Sequence, residues 1–333
     1  MIPTIKDVAK HADVSIATVS RILNSQTGYS EKTKQKVLNS IKELGYQPNA
    51  VARGLINKKT QTIGVLFPDV SSMLSSAILK GIEDAAHNLG HSVIVCHTAS
   101  RGKRTLKYLQ LLREKRVDGI IFASERMLEE YYEVVQQMDV PVILISTESS
   151  YDIPFVKVDD KRASYSATEY LVKKGHCNIG FISGPIEDKI AGLPRLEGFK
   201  QALYKNGIQL RQQNIVVTKG FGYEHGRDSL SFLLERSPDI TGIVAASDEI
   251  AVGVLTSAYK LGIKVPDQLS IIGYDNLKIA EMAIPPLTTV AQPLYQLGKE
   301  GAEMLLHMLI TGEKAKSKIL PHRIIERQSI SKR

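Results

Sequence analysis

The chain of 333 residues contains no tryptophan and only two cysteines, Cys96 and Cys177. Two thiols make no disulfide framework, which sets aside the small secreted scaffolds. No run of eighteen apolar residues occurs, so no membrane span is expected. The opening Met-Ile-Pro-Thr-Ile-Lys-Asp lacks the apolar stretch of a secretory leader, which points to the cytoplasm. There is no phosphate-cradling Walker loop and no Gly-x-Ser-x-Gly nucleophile turn. Gly220 to Gly226 has the wrong spacing for a nucleotide fingerprint. His87 and His91 are four apart near Cys96 and His97, but Gly90 interrupts the helix they would need to share. No enzyme, cofactor or metal is expected.

What the chain does have is unevenly placed charge. Residues 1–60 hold ten basic and four acidic residues, a net +6; residues 61–333 hold 33 and 31. Positive charge gathered in one small unit fits phosphate binding. On its own it fits a merely basic surface equally well.

In that unit Thr4 caps a helix and Asp7 completes a capping box. Ile5, Val8, Ala9 and Ala12 recur at helical spacing. After a short turn at Asp13-Val14, Ser15 caps a second helix, Ile16 to Leu23. Two short helices joined by about three residues form a helix-turn-helix layout. Ser30 caps a third, Glu31 to Leu44, with Val37, Leu38, Ile41 and Leu44 inward and Gly45 as its stop. The second helix would enter the major groove. Ile16, Ala17, Thr18, Ser20 and Arg21 are left on its outer face. Arg21 alone has the fork that reads guanine, and Ile16 and Ala17 suit a thymine methyl group. Thr4, Ser15 and Tyr29 complete the set expected at DNA.

Thr4-Ile5-Lys6-Asp7-Val8-Ala9-Lys10 followed by Val14-Ser15-Ile16-Ala17-Thr18-Val19-Ser20-Arg21 resembles the headpiece of the LacI/GalR family of bacterial repressors. Gly45-Tyr46-Gln47-Pro48-Asn49-Ala50-Val51-Ala52-Arg53-Gly54-Leu55 resembles that family's hinge helix. A helix so short is unstable alone in water and forms only when packed. The resemblance implies that paired hinges enter the minor groove, with Leu55 as the apolar wedge. Asn49, Ala50 and Arg53 would lie alongside.

From residue 61 the pattern alternates. Apolar runs at Ile63–Phe67, Val93–Val95, Gly119–Phe122 and Val142–Ile145 read as buried parallel strands with helices between. A second series runs from Ile179 to Gly273. Two such series imply two doubly wound lobes. The expected fold is an all-α helix-turn-helix headpiece (1–47) and a hinge and linker (48–60). An α/β two-lobed sensor of the periplasmic-binding-protein type follows (61–333). The resemblance implies interleaving: one lobe of about 61–160 and 293–320, the other of about 161–292 and 321–333.

Ligands of such sheets bind beyond the carboxyl ends of the strands, between lobes. Asp159, Asp248 and Asp275 follow strands, Arg195 opens a helix, and Phe221 lies in a loop. By the resemblance, Arg195 and Asp275 grip an effector's polar groups and Phe221 stacks on it, which suits a sugar. Asp248 is equally placed to cap a helix, and Asp275 to close a turn with Asn276. Leu74 and Ser146 stand where relatives often carry an aromatic and an acid. The expected partners are operator DNA, a small effector and a second copy of the chain, with no membrane.

Within the family, Gly81-Ile82-Glu83-Asp84, Val117-Asp118-Gly119-Ile120-Ile121-Phe122 and Leu320-Pro321-His322-Arg323 resemble catabolite control proteins, which a phosphorylated carrier protein switches. Such docking needs arginine forks. Tyr295 to Met304 offers Lys299 but no Arg, so a small effector is preferred and the phosphocarrier stands second.

Overall fold

The computed structural model describes residues 3–23, 27–46, 59–99 and 102–333. They fall into two compact units, Met1–Thr60 and Gln61–Arg333.

In the first unit, α1 (Ile5–His11), α2 (Ile16–Leu23) and α3 (Glu31–Leu44) close on Val8, Ala9, Ala12, Val19, Ile22 and Val37. Side chains fix the helix starts. The Asp7 carboxylate accepts from the Thr4 amide at 2.8 Å and the Thr4 hydroxyl at 2.7 Å. Ser15 Oγ accepts from the Thr18 amide at 3.1 Å, and Ser30 Oγ from the Thr33 amide at 3.2 Å. Gly45, at φ +64°, ends α3 in the left-handed conformation that glycine adopts without a Cβ clash. Leu38 departs from the expected inner stripe and is 41% exposed. The seam runs through Val37, Ser40, Ile41 and Leu44, and one residue of helix rotates Leu38 out of it.

The second unit holds two six-stranded sheets. The first is built from β1 (Thr62–Phe67), β2 (Ser92–His97), β3 (Gly119–Ala123), β4 (Val142–Ile145), β5 (Phe155–Val158) and β11 (Lys318–Leu320). Its order is β11-β5-β4-β3-β1-β2, parallel throughout. The second comprises β6 (Ile179–Ser183), β7 (Ile215–Val217), β8 (Gly242–Ala245), β9 (Ser270–Asp275), β10 (Thr288–Ala291) and β12 (Arg323–Ile325). Its order, β12-β10-β9-β8-β6-β7, repeats the first, with β12 antiparallel.

Helices cover both faces of the first sheet, and its central strands β1, β3 and β4 are accordingly buried on both sides. On one face lie α4 (Met73–Asn88) and α12 (Leu294–Thr311). On the other, α5 (Thr105–Glu114) and α6 (Glu129–Met138) pack Leu109, Leu112, Tyr131 and Val135 onto Leu66, Ile120, Phe122 and Leu144. The second sheet carries α7 (Asp160–Lys173), α8 (Gly192–Lys205), α9 (Tyr223–Arg236), α10 (Asp248–Lys260) and the short α11 (Lys278–Met282). Between α7 and α8 a Cβ on Gly198 would stand 2.1 Å from the Lys161 carbonyl oxygen, so only glycine permits this approach.

The chain passes between the sheets three times: from β5 into α7, from β10 into α12, and from β11 into β12. The first of these crossovers, at Asp159 and Asp160, borders a cleft.

Candidate effector cleft and DNA-reading face

A cavity of about 600 Å³ lies between residues that follow β3, β4 and β5 of the first sheet and the first turns of α7 and α8. Ser146, Glu148 and Lys157 line it from the first lobe, and Asp159, Lys189 and Glu197 from the second. Ser146 sits at φ +56°, with its hydroxyl oxygen buried and without a hydrogen-bond partner among the described residues. Asp159 caps α7 by accepting from the Arg162 amide at 3.0 Å and stays half-exposed.

Arg195, in the first turn of α8, is 6% exposed and organises a buried network. Its Nε donates to Asp160 Oδ1 at 2.8 Å and its Nη1 to the Ala246 carbonyl at 2.6 Å. Nη2 lies 3.8 Å from Asp275 Oδ1. The guanidinium stands 3.7 Å from the Tyr274 ring centre and 5.9 Å from that of Phe221. The Tyr274 hydroxyl donates to Asp160 Oδ1 at 3.1 Å, and Gln292 Nε2 to Asp275 Oδ1 at 2.7 Å. Burial works against the charge on Arg195, but Asp160 first, then Tyr274 and Asp275, outweigh it and hold the guanidinium more firmly protonated than usual. Burial pushes the Asp275 carboxyl up to about 6, with Arg195 opposing. Asp275 holds φ +109° and Asn276 φ +59°, so this turn stores backbone strain beside the network.

Of the residues expected at the effector, Ser146 and Asp159 line the cavity, whereas Arg195, Asp275, Phe221, Asp248 and Leu74 do not. Asp248 is wholly buried, accepting from the Leu277 amide at 2.7 Å and the Thr289 hydroxyl at 2.5 Å. Burial lifts its carboxyl well above the usual range. The cap of α10 is Ser247, whose hydroxyl accepts from the Ile250 amide at 3.0 Å and donates to the Phe221 carbonyl at 2.7 Å. Phe221 is half-buried over Gly184, where a Cβ would stand 2.3 Å from the ring. Leu74 is half-buried in the first turn of α4, packed on the core. Sequence reasoning missed Asp160, Tyr274 and Gln292. Each stands beside a residue that it singled out or just after a strand, and that placement was the available signal.

On α2, Ile16 is 45% exposed, Ala17 and Arg21 are exposed, and Thr18 and Ser20 are half-buried. The Ser15 and Thr18 hydroxyls already meet each other at 2.9 Å. Tyr29 packs on the headpiece core and Thr4 is exposed. Asn49, Ala50, Arg53 and Leu55, with the hinge expected around them, lie outside the described residues.

Residues 4–49 match the family model described as bacterial regulatory proteins, lacI family, and residues 60–328 match that of periplasmic binding proteins and the sugar binding domain of the LacI family. The chain belongs to the LacI family. It is a LacI-family DNA-binding transcription regulator whose second unit is the family's effector-binding sensor. It is 40% identical to catabolite control protein A of Priestia megaterium over 98% of both chains. It is 37% identical to the ribose operon repressor of Halalkalibacterium halodurans over 92% of this chain and 90% of that one. Among solved structures, the lac repressor dimer bound to operator and the anti-inducer ONPF is 27% identical. That match covers 99% of this chain and 100% of the other, with a TM-score of 0.89. These LacI-family relatives are regulators of transcription rather than enzymes. No helix among the described residues is long and apolar enough to cross a membrane.

Proposed function

We propose that this LacI-family regulator is a cytoplasmic repressor that binds operator DNA as a homodimer and answers to a sugar or sugar derivative held between its lobes. The observation that carries the effector reading is the Arg195 network. It joins Asp160, at the first crossover, to Asp275 and Gln292, at the second. A polar ligand reaching Asp275 or Arg195 acts on both crossovers at once, and so on the relation of the two lobes. Asp159, Ser146 and Phe221 would supply the polar rim and the stacking face. Asp248, with both oxygens held by protein donors, supports the strand ends from behind.

In the headpiece, Arg21 would read a base through its guanidinium, with Ile16 and Ala17 against thymine methyl groups. Thr4, Ser15, Thr18, Ser20 and Tyr29 would position the unit on phosphates, and Asn49, Ala50, Arg53 and Leu55 would work at the minor groove. The working units are 1–47, 48–60 and 61–333. Met282 at the end of α11 and Ile284 just beyond it, 70% and 92% exposed, form an apolar surface suited to a second copy.

The likeness to catabolite control protein A favours a second reading, control by a phosphorylated carrier protein. Against it, α12 offers Lys299 without an arginine, and Lys299 Nζ already lies 3.7 Å from Glu303.

The test is selection of genomic DNA fragments by the purified chain, followed by titration of the selected operator with sugars and with a serine-phosphorylated carrier protein. A palindrome released or tightened by a sugar supports the proposal. A response to the carrier alone moves control to the second reading, and no enriched sequence rejects the operator claim.

A further inference from the structure

The outer face of the first lobe carries two neighbouring helices of opposite sign. Residues 102–118, with α5, hold six basic and two acidic residues; residues 119–139, with α6, hold five acidic and one basic. The helices lie on the same face of the sheet and share one apolar cluster. Both connect parallel strands, so both run opposite to the strands and parallel to each other. Their N-terminal ends meet: the Tyr131 hydroxyl of α6 donates to the Gly102 carbonyl just before α5, at 3.3 Å.

At those ends, Lys103 and Arg104 stand just before α5 and Lys107 in its first turn, and Glu129, Glu130 and Glu133 on α6. All six are exposed, and none has an opposite charge within 4 Å among the described residues. The acids suit a helix N-terminus. The cations do not: they sit at the positive end of the α5 dipole, where Arg104 makes no side-chain capping bond. No acidic side chain among the described residues pairs with them. Leu106, 41% exposed, lies among them.

We propose that α5 and α6 form a self-complementary docking face for a second copy of this chain, through which dimers associate. A two-fold axis parallel to both helices lays α5 of each copy on α6 of the other, running in the same direction. The N-terminal cations then meet the N-terminal acids. Their sequence spacing matches, because 103/104 to 107 and 129/130 to 133 are each three or four residues. Leu106 is covered in both copies. The face is separate from Met282 and Ile284 and does not depend on the effector reading.

The test is sedimentation velocity of the full chain at about 50 mM and about 500 mM salt, where screening differs several-fold. The expected result is a particle twice as massive at low salt. K103E/K107E and E130K/E133K, each alone, should weaken that association by roughly tenfold or more. Mixed in equal amounts, the two variants regain complementarity at every contact and should associate again. An Ile284→Asp chain separates this claim from the dimer reading: it halves both masses if Ile284 holds the dimer, and leaves both unchanged if that reading is wrong. The proposal is overturned if the mass is the same at both salts, if either variant alone keeps the larger particle, or if the mixture does not restore it.

Discussion

Arg195 donates from Nε to Asp160 Oδ1 at 2.8 Å, with side-chain exposures of only 7% and 11%. Removing one partner of a buried pair leaves the other charge stranded, at a cost of about 3–5 kcal/mol. Asp160→Asn should lower unfolding stability by that order in a urea titration and blunt the response of operator binding to effector. A variant as stable as the parent would mean that Asp160 is not paired in solution.

Asp275 gives a pH dependence whose sign follows from burial. Its ordinary value is 3.8, and in the folded protein it rises to about 6. Below 3.8 both states are protonated. Between the two values the folded protein alone keeps the proton, so stability falls as pH rises through this window and levels off above it. The full effect is roughly 3 kcal/mol. Asp275→Asn should remove that slope, gaining on the parent between pH 4 and pH 7. A constant difference between the two chains would show that the carboxyl titrates normally.

Gly198→Ala places a methyl group against the Lys161 carbonyl and the Tyr165 amide, at 2.1 Å and 2.9 Å. Helices α7 and α8 must part, costing roughly 1–3 kcal/mol. Arg195 is one turn away on α8, so effector affinity should fall as well. Calorimetry would read both, and unchanged affinity would uncouple the helix contact from the site.

Arg21→Ala should cost about 1–3 kcal/mol in operator binding and relax preference at one base pair of each half-site. Ser15→Ala should instead cost about 1 kcal/mol of headpiece stability, since Ser15 caps α2. Uniform weakening across all sequences in the Arg21 variant would make it a phosphate contact.

Much of this arrangement is legible in the sequence. Buried parallel strands read clearly because both faces are covered, as Ile63–Phe67 shows. The last strands do not: Thr288–Ala291 and Lys318–Leu320 have no apolar run, and their partners are set by distant segments. Asp248 illustrates another limit. Its position after a strand suits a cap or a ligand contact equally, and only the fold shows Ser247 in the cap and Asp248 tied to Leu277 and Thr289. Asp160 and Gln292 escaped notice because their partners, Arg195 and Asp275, belong to other segments of the chain.

The three passages between the sheets have a consequence for anyone who would cut or recombine this chain. Neither lobe is a continuous stretch of sequence, and the last fifteen or so residues supply an edge strand to each sheet in turn. A stop codon before Lys318 therefore strips both lobes at once. No single junction can graft a foreign effector lobe onto this one: an exchange must be made at all three crossings together, so the lobes are inherited as a matched pair.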